Sequence, residues 1–170
     1  MDAAGCELIY SINCPTVKFV ACFFYCSWLY WTHYESNAIY KGATDGSSSS
    51  VLHGNLYNPY AITLDHSSDR LFWSEQSTIK SSLTDGSNLM TLMTLHSVYG
   101  LSVFEGILYV AKWNPSEARA VFVNSTDMTR TLTTAVELPL TIEVVSLFKQ
   151  PLGKYVTYFV VKGRLSNIKC

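Results

Sequence analysis

The chain has 170 residues, which is enough for one domain with a hydrophobic core of its own. Its 12 Lys and Arg side chains are balanced by 13 Asp and Glu, so the composition gives no basic surface for nucleic acid or for an anionic membrane. Only 15% of the residues are charged and the chain is rich in Tyr, Thr, Val, Leu and Ser, which favours an all-β domain.

Residues 1–27 form an atypical apolar leader, which we interpret as a strand or as a non-native exon. The run from Phe19 to Trp31 is apolar apart from Ser27, and it is shorter than the roughly 20 residues of a membrane span. Acidic residues near the start, Asp2 and Glu7, argue against a signal peptide.

The cysteines lie outside the central part of the chain, and their number, 5, is odd. In a secreted protein one of them would stay free or bond to another chain. Buried thiols or a mistranslated leader are favoured over a zinc site, because no histidine cluster accompanies Cys22 and Cys26. The full set is Cys6, Cys14, Cys22, Cys26 and Cys170.

A near-repeat occupies the middle of the chain. Leu29-Tyr30-Trp31-Thr32 returns 42 residues later as Leu71-Phe72-Trp73-Ser74, and Thr44-Asp45-Gly46-Ser47 returns 40 residues later as Thr84-Asp85-Gly86-Ser87. A weaker third copy begins at Leu108-Tyr109. A period of about 40 to 45 residues with strand-turn-strand content is typical of one blade of a β-propeller.

Each copy predicts several strands in a fixed order. The aromatic signature is an alternating strand, and the next strand carries Ile39 or Ile79. The Asp-Gly pair then predicts a tight turn that needs positive φ. Val51-Leu52 and Leu89–Met93 form a third strand, and 61–65 or 99–104 forms the strand that the next unit needs.

The repeat resembles the YWTD, or class B, repeat of the low-density lipoprotein receptor family over roughly 28–151. The resemblance implies an all-β fold, an incomplete YWTD-type β-propeller of four-stranded antiparallel blades with about three of six blades. The third unit resembles a last blade, and Glu143–Pro151 resembles its closing strand. The matching residues are Leu29, Tyr30, Trp31, Thr32, Ile39, Asp45 and Gly46, then Asp65, Arg70, Leu71, Phe72, Trp73, Ser74, Ile79, Asp85 and Gly86, then Leu108 and Tyr109.

The sequence departs from the family's Tyr-Trp-Thr-Asp pattern at its fourth position, the residue after Thr32, Ser74 or Ala111. His33, Glu75 and Lys112 stand where the family has an aspartate that joins blades through hydrogen bonds. We expect Glu75 to substitute in part, His33 to need a different donor and acceptor arrangement, and Lys112 to reverse the charge.

Residues 152–170 match nothing in the family. The alternating run Tyr155–Val161 is either an added edge strand or read-through sequence, and we favour the latter. Three explanations of the low blade number stay open: a truncated gene model, a piece of a longer receptor, or a chain that pairs with a second copy to close a ring.

The resemblance implies a non-catalytic extracellular module that binds protein ligands, in a low-density lipoprotein receptor-related protein acting as an endocytic receptor or a Wnt-type co-receptor. Such a parent carries EGF-like modules and is held at the cell surface by an anchor absent from this chain. No cofactor is expected, and calcium belongs to neighbouring modules. The alternatives are a nidogen-like matrix or growth-factor-precursor propeller and, less favoured, a propeller hydrolase.

Four aromatic residues are the predicted ligand contacts, Tyr34, Tyr57, Tyr60 and Trp113, because such side chains anchor protein interfaces. Packing between blades is the alternative role for each. Asn124-Ser125-Thr126 is a candidate glycosylation site at Asn124.

The sequence contains no nucleophile elbow, phosphate-binding loop or His-Glu-x-x-His motif, so we expect no enzyme. A hydrolase would need carboxylates that converge near the propeller axis. The histidines show no metal-ligand spacing and are expected in exposed loops, although they titrate in the range that acid-dependent ligand release requires. They are His33, His53, His66 and His96.

Overall fold

The computed structural model describes residues 17–21, 27–123, 129–133, 139–147 and 156–163. These residues form 14 β-strands and no helix. The strands are β1 Val17–Ala21, β2 Trp28–His33, β3 Ala38–Ala43, β4 Ser49–His53, β5 Ile62–Asp65, β6 Arg70–Ser74, β7 Thr78–Leu83, β8 Met90–Thr94, β9 Val98–Phe104, β10 Ile107–Lys112, β11 Glu117–Phe122, β12 Thr129–Thr133, β13 Pro139–Leu147 and β14 Val156–Gly163.

The strands form three four-stranded antiparallel sheets and one hairpin. Each sheet follows chain order, as β1–β4, β5–β8 and β9–β12, and β13 pairs with β14. The first strands of the sheets are neighbours, because β5 contacts both β1 and β9, and β9 contacts β13. Sheets that meet through their first strands are blades arranged around an axis. The predicted all-β fold with four-stranded antiparallel blades is confirmed.

Alternation along the second strand of each sheet fixes how the sheets pack. In β6, Leu71 and Trp73 pack with the first sheet, whereas Phe72 packs with the third sheet. All three side chains are buried because the strand has a neighbouring sheet on each side. Burial of one such side chain contributes roughly 1.5–3 kcal/mol. The aromatic signature is therefore the apolar filling of two sheet junctions.

Three apolar clusters correspond to three successive junctions. The first joins the first and second sheets through Tyr30, Ile39, Leu56, Ile62, Leu71 and Trp73. The second joins the second and third sheets around Phe72, Ile79, Leu108 and Val110. The third consists of Tyr109, Ala111, Ala118 and Ala120, on the face of the third sheet turned away from the second. Strand β13 contacts β9, β10 and β11, so the hairpin lies against the third sheet.

The repeated Asp-Gly pairs form the predicted tight turns. Gly46 and Gly86 have φ of 75° and 89°, a region in which a Cβ atom would be strained. The carboxylates of Asp45 and Asp85 accept hydrogen bonds from the backbone N–H groups two residues ahead, at 2.9 and 2.8 Å. These side chains hold the turns of β3–β4 and β7–β8.

The strand order places the loops at two ends of the molecule. One end, which we call the connection face, carries the turns β2–β3, β6–β7 and β10–β11 together with the connections between sheets at 54–61 and 95–97. The opposite face carries the other turns, including the Asp-Gly turns.

The hairpin differs from the predicted end of the propeller. Strand β13 overlaps the predicted closing strand, but it pairs along its length with β14, which lies in the predicted tail. The two strands therefore form a separate two-stranded sheet. In the predicted apolar leader, β1 pairs with β2 and completes the first sheet. The domain boundaries at 27 and 151 stay predictions.

Candidate ligand-binding face

A row of three aromatic rings lies on the connection face. Tyr60 precedes β5, Tyr99 is the second residue of β9, and Trp113 follows β10. The rings of Tyr60 and Tyr99 meet edge to face with centroids 4.7 Å apart, and those of Tyr99 and Trp113 do so at 5.0 Å. This geometry is the one that aromatic quadrupoles favour. Burial raises the pKa of the Tyr60 hydroxyl, and the neighbouring Tyr99 adds to that shift.

Tyr99 is the member of the row that the sequence analysis did not single out. It occupies the same place in its repeat as Tyr60, because Tyr60-Ala61-Ile62-Thr63 matches Tyr99-Gly100-Leu101-Ser102. Alignment of the two connections would have found it. The row therefore consists of one tyrosine from each of two consecutive sheets, followed by the indole of the third sheet's turn.

An open pocket of about 390 Å³ lies beside Trp113. It is lined by Ser97, Tyr99, Trp113, Asn114 and Ser116. The backbone N–H of Trp113 donates to the Ser97 carbonyl at 3.0 Å, which joins the β10–β11 turn to the connection before β9. The Ser116 hydroxyl donates to the Trp113 carbonyl at 2.9 Å. The indole itself is 42% exposed.

The other two predicted contacts lie on the same face. Tyr34, in the β2–β3 turn, occupies the repeat position of Trp113 and is exposed. Tyr57, in the connection between the first two sheets, is 64% exposed. Its carbonyl accepts the Gln76 N–H at 3.1 Å, so its backbone is fixed although its ring is free of the core. All four predicted residues thus share one end of the propeller, and Tyr99 joins Tyr60 to Trp113.

Glu75, which directly follows the Leu71-Phe72-Trp73-Ser74 repeat, joins two sheets. Its carboxylate accepts the Tyr57 N–H at 3.2 Å, from the connection that leaves the first sheet. It also accepts the indole N–H of Trp73 at 3.1 Å and pairs with Lys80 at 3.0 Å. Glu75 therefore joins the two sheets through a hydrogen bond, as expected of it at this position.

The other two residues at that position have local partners. His33 Nδ1 accepts the Ser36 N–H at 3.2 Å within its own turn. Lys112 is buried and pairs with Glu117 at 2.7 Å, and Glu117 also pairs with Arg119 at 2.8 Å. Burial raises the pKa of Glu117, but the hydrogen bonds and charges of Lys112 and Arg119 outweigh it, so the pKa is lowered. The reversed charge at Lys112 is thus neutralised on the adjacent strand.

The hydroxyl groups of Thr32 and Ser74, which directly follow the tryptophan of each aromatic signature, also join neighbouring sheets. The Thr32 hydroxyl donates to the Tyr60 carbonyl at 2.7 Å. The Ser74 hydroxyl donates to the Val98 carbonyl at 3.2 Å and accepts the Ala61 N–H at 3.0 Å. Both hydroxyls are buried, and both bond at or beside the start of the next sheet's first strand. They therefore hold the backbone that carries the aromatic row.

His53 is packed in the first junction, which differs from the expected exposed loop. Its ring stacks on Trp73 with centroids 5.1 Å apart, and Nε2 lies 2.9 Å from the Ser82 hydroxyl. Burial lowers the pKa of His53, partly opposed by the charge of Glu75 and assisted by that of Lys80. The equivalent position in the second sheet is Met93, which packs against the second cluster.

Several predictions concern other parts of the chain. Asn124 and all five cysteines lie outside the described residues. In the part of the chain that the structure describes, no three His, Cys, Asp or Glu side chains are grouped as metal ligands would be. Within the same part, no helix has the length and apolar character needed to cross a membrane.

Fold and site together define a class: an all-β protein of propeller type with an aromatic row on the face that carries its inter-sheet connections. No family model matches the sequence. Among solved structures, the chain is similar to one described as "Crystal structure of Nidogen/Laminin Complex", with a TM-score of 0.66 and 18% identity. The likeness covers 84% of this chain and 63% of that chain, so this chain spans less than two thirds of its length. At this identity the likeness establishes the fold.

Proposed function

We propose that this chain is a non-catalytic, extracellular protein-binding module of YWTD propeller type, from a low-density lipoprotein receptor-related receptor of endocytic or Wnt co-receptor kind. The observation that carries the proposal is the aromatic row Tyr60, Tyr99 and Trp113 on the connection face. Tyr and Trp are the residues that most often dominate protein interfaces.

The way the row is held supports a binding role. Its backbone is fixed by the Thr32 hydroxyl at Tyr60 and by the Ser97 carbonyl at Trp113. Side chains fixed before binding lose little conformational entropy when a partner docks, which favours affinity. Loops positioned by rigid strands are the usual place for recognition residues.

The proposed repeat family is supported by what its signature residues do. Leu71, Phe72 and Trp73 fill two junctions, and Thr32 and Ser74 bond the next sheet. A repeat whose shared residues make the shared inter-sheet contacts is a structural unit.

The nidogen/laminin likeness favours a second candidate, a matrix propeller of nidogen type. That candidate uses the same face for a different partner, laminin in place of a receptor ligand. The two differ in the protein that binds and leave the site unchanged.

The acidic side chains support a non-catalytic role. Asp45, Asp65 and Asp85 accept hydrogen bonds inside their own turns. Glu75 and Glu117 are buried and ion-paired. A hydrolase would use carboxylates that are available to substrate and to a proton.

Binding of purified probes to the immobilised full chain tests the proposal. We expect saturable binding of one of three soluble probes: low-density lipoprotein, a Wnt-type ligand or laminin. Trp113→Ala should weaken that binding by about tenfold or more, as truncation of an interface anchor does. Leu89→Ala is the matched control, because Leu89 is exposed but lies on the opposite face.

The identity of the bound probe separates the candidates. Binding of the lipoprotein or the Wnt-type ligand supports the receptor, and binding of laminin supports the matrix protein. Binding that Leu89→Ala weakens as much as Trp113→Ala does would contradict the assignment of the face.

A further inference from the structure

We propose that the pocket beside Trp113 binds a neutral saccharide unit. The inference rests on the proposed function, because it names the chemistry of one part of the ligand that the connection face takes. It comes from the polar groups that surround the exposed indole.

Among the residues that the structure describes, no Asp, Glu, His, Lys or Arg side chain lines the pocket. Two hydroxyls, an amide, a phenol and an indole line it, from Ser97, Ser116, Asn114, Tyr99 and Trp113. Each of the first four groups can donate and accept hydrogen bonds, and the indole N–H donates. The Ser116 hydroxyl already donates to the Trp113 carbonyl, but a wholly apolar ligand would leave the other groups without partners, at a cost in free energy.

The charged side chains near the pocket belong to one ion cluster and do not line the pocket itself. Lys112 immediately precedes Trp113, but its side chain is only 7% exposed and lies 2.7 Å from the Glu117 carboxylate. Arg119 completes the cluster at 2.8 Å. The cluster holds two cations and one carboxylate, but none of its members lines the pocket, so a charged ligand there would meet no counter-charge in the described lining. The chemistry favours a ligand that is polar, hydrogen-bonding and uncharged.

A sugar ring combines the two properties that the pocket offers to bind. Its C–H faces match the electron-rich face of an aromatic ring, and its hydroxyls match the amide and hydroxyl groups around it. The volume of about 390 Å³ lies near the lower end of ordinary ligand sites. The pocket therefore suits a single sugar or the end of an oligosaccharide.

The walls of the pocket are fixed in place. Ser97 has φ of 59°, a left-handed conformation that is uncommon for a residue with a side chain. Its carbonyl accepts the Trp113 N–H, and Tyr99 supports the indole from one side. Such backbone conformations are concentrated at sites that hold ligands.

Two sources could supply the same sugar chemistry, a free saccharide or a glycan on a protein partner. We would test the full chain against uncharged oligosaccharides that end in mannose, glucose, galactose or N-acetylhexosamine. Sialylated and sulfated oligosaccharides serve as charged comparisons. Saturation-transfer NMR detects binding, and titration of tryptophan fluorescence measures its affinity.

Two tryptophan variants separate the pocket from general surface effects. Trp113→Ala should weaken saccharide binding by about tenfold or more, the effect of losing an anchoring aromatic residue. Trp28→Ala should leave it unchanged, because Trp28 is similarly exposed, at 40% against 42%, but lies on the opposite face over the Lys41 ammonium. Unchanged circular dichroism melting of both variants establishes that they fold.

The outcomes are distinct from those of the protein-binding test. The inference is overturned if no neutral saccharide binds, if charged oligosaccharides bind better, or if Trp113→Ala binds as the wild type does. Enzymatic removal of glycans from a protein probe identifies the source of the sugar. If the deglycosylated probe no longer binds the chain, the sugar belongs to the protein partner. If that probe still binds and free saccharides also bind saturably, the pocket takes a free saccharide. If the chain binds saccharides but no protein probe, the proposed function is refuted and the saccharide inference stands.

Discussion

Ser74→Ala should lower the free energy of unfolding more than any comparable small change at a sheet junction. The substitution removes one buried hydroxyl that bonds two backbone groups, the Ala61 N–H at 3.0 Å and the Val98 carbonyl at 3.2 Å. Leaving a buried backbone group without its partner costs about 1–3 kcal/mol, so the two together predict a loss of roughly 2–6 kcal/mol. Thr32→Val removes one such bond, to the Tyr60 carbonyl, and should cost about half as much.

Urea unfolding of the full chain, followed by tryptophan fluorescence, measures these differences when the slope against urea stays constant. Ser74→Thr is the control, because it keeps the hydroxyl and introduces the residue that stands at the equivalent position of the first sheet. The reasoning fails if Ser74→Ala lies within about 0.5 kcal/mol of the wild type, the range of an ordinary surface change. It fails equally if Thr32→Val costs more than Ser74→Ala.

Three further changes test the charged and titratable groups. The pKa of His53 in the folded protein lies below its unfolded value of 6.5. The stability that His53 contributes should therefore be complete above about pH 6.5 and should fall as the pH drops below that value. Urea unfolding at several pH values should show that His53→Met reduces this fall. Glu75→Gln places a side-chain amide beside the Tyr57 N–H. The substitution should speed hydrogen exchange of the Tyr57 backbone N–H and lower the free energy of unfolding by about 1–3 kcal/mol. Lys112→Met leaves the buried Glu117 with one cation and should lower the free energy of unfolding by up to about 3 kcal/mol. Equal stability of the variant and the wild type would show that the Lys112–Glu117 pair contributes nothing.

Much of the architecture could be predicted from repetition. Two copies of an aromatic strand and an Asp-Gly turn were enough to predict strand order, because positive φ and alternation constrain the backbone directly. Gly46 and Gly86 have the expected conformation, and Phe72 and Trp73 are buried on opposite faces as a doubly covered strand requires.

The site was only partly predictable. Exposure of Trp113 follows from its place in a turn, but the contact between Tyr60 and Tyr99 depends on how two consecutive sheets approach each other. That distance is set by packing across a junction, which has no signature within one repeat. The pairing of β13 with β14 was not predicted, since β14 lies in the tail, where the repeat pattern has no counterpart.

The two residues that follow the aromatic pair of each repeat, such as Ser74 and Glu75, have different roles at the sheet junctions. The hydroxyl at the third position bonds the next sheet, whereas the fourth residue acts near the connection face. This explains how His33, Glu75 and Lys112 are accommodated at one repeat position, because the hydroxyls of Thr32 and Ser74 preserve the junctions in the first two sheets.

The third sheet lacks such a hydroxyl because Ala111 stands at its third position. Its face toward β13 is instead built from small side chains, Ala111, Ala118 and Ala120, beside Tyr109. These small apolar side chains can contribute dispersion contacts but no side-chain hydrogen bond of the kind that Thr32 and Ser74 make.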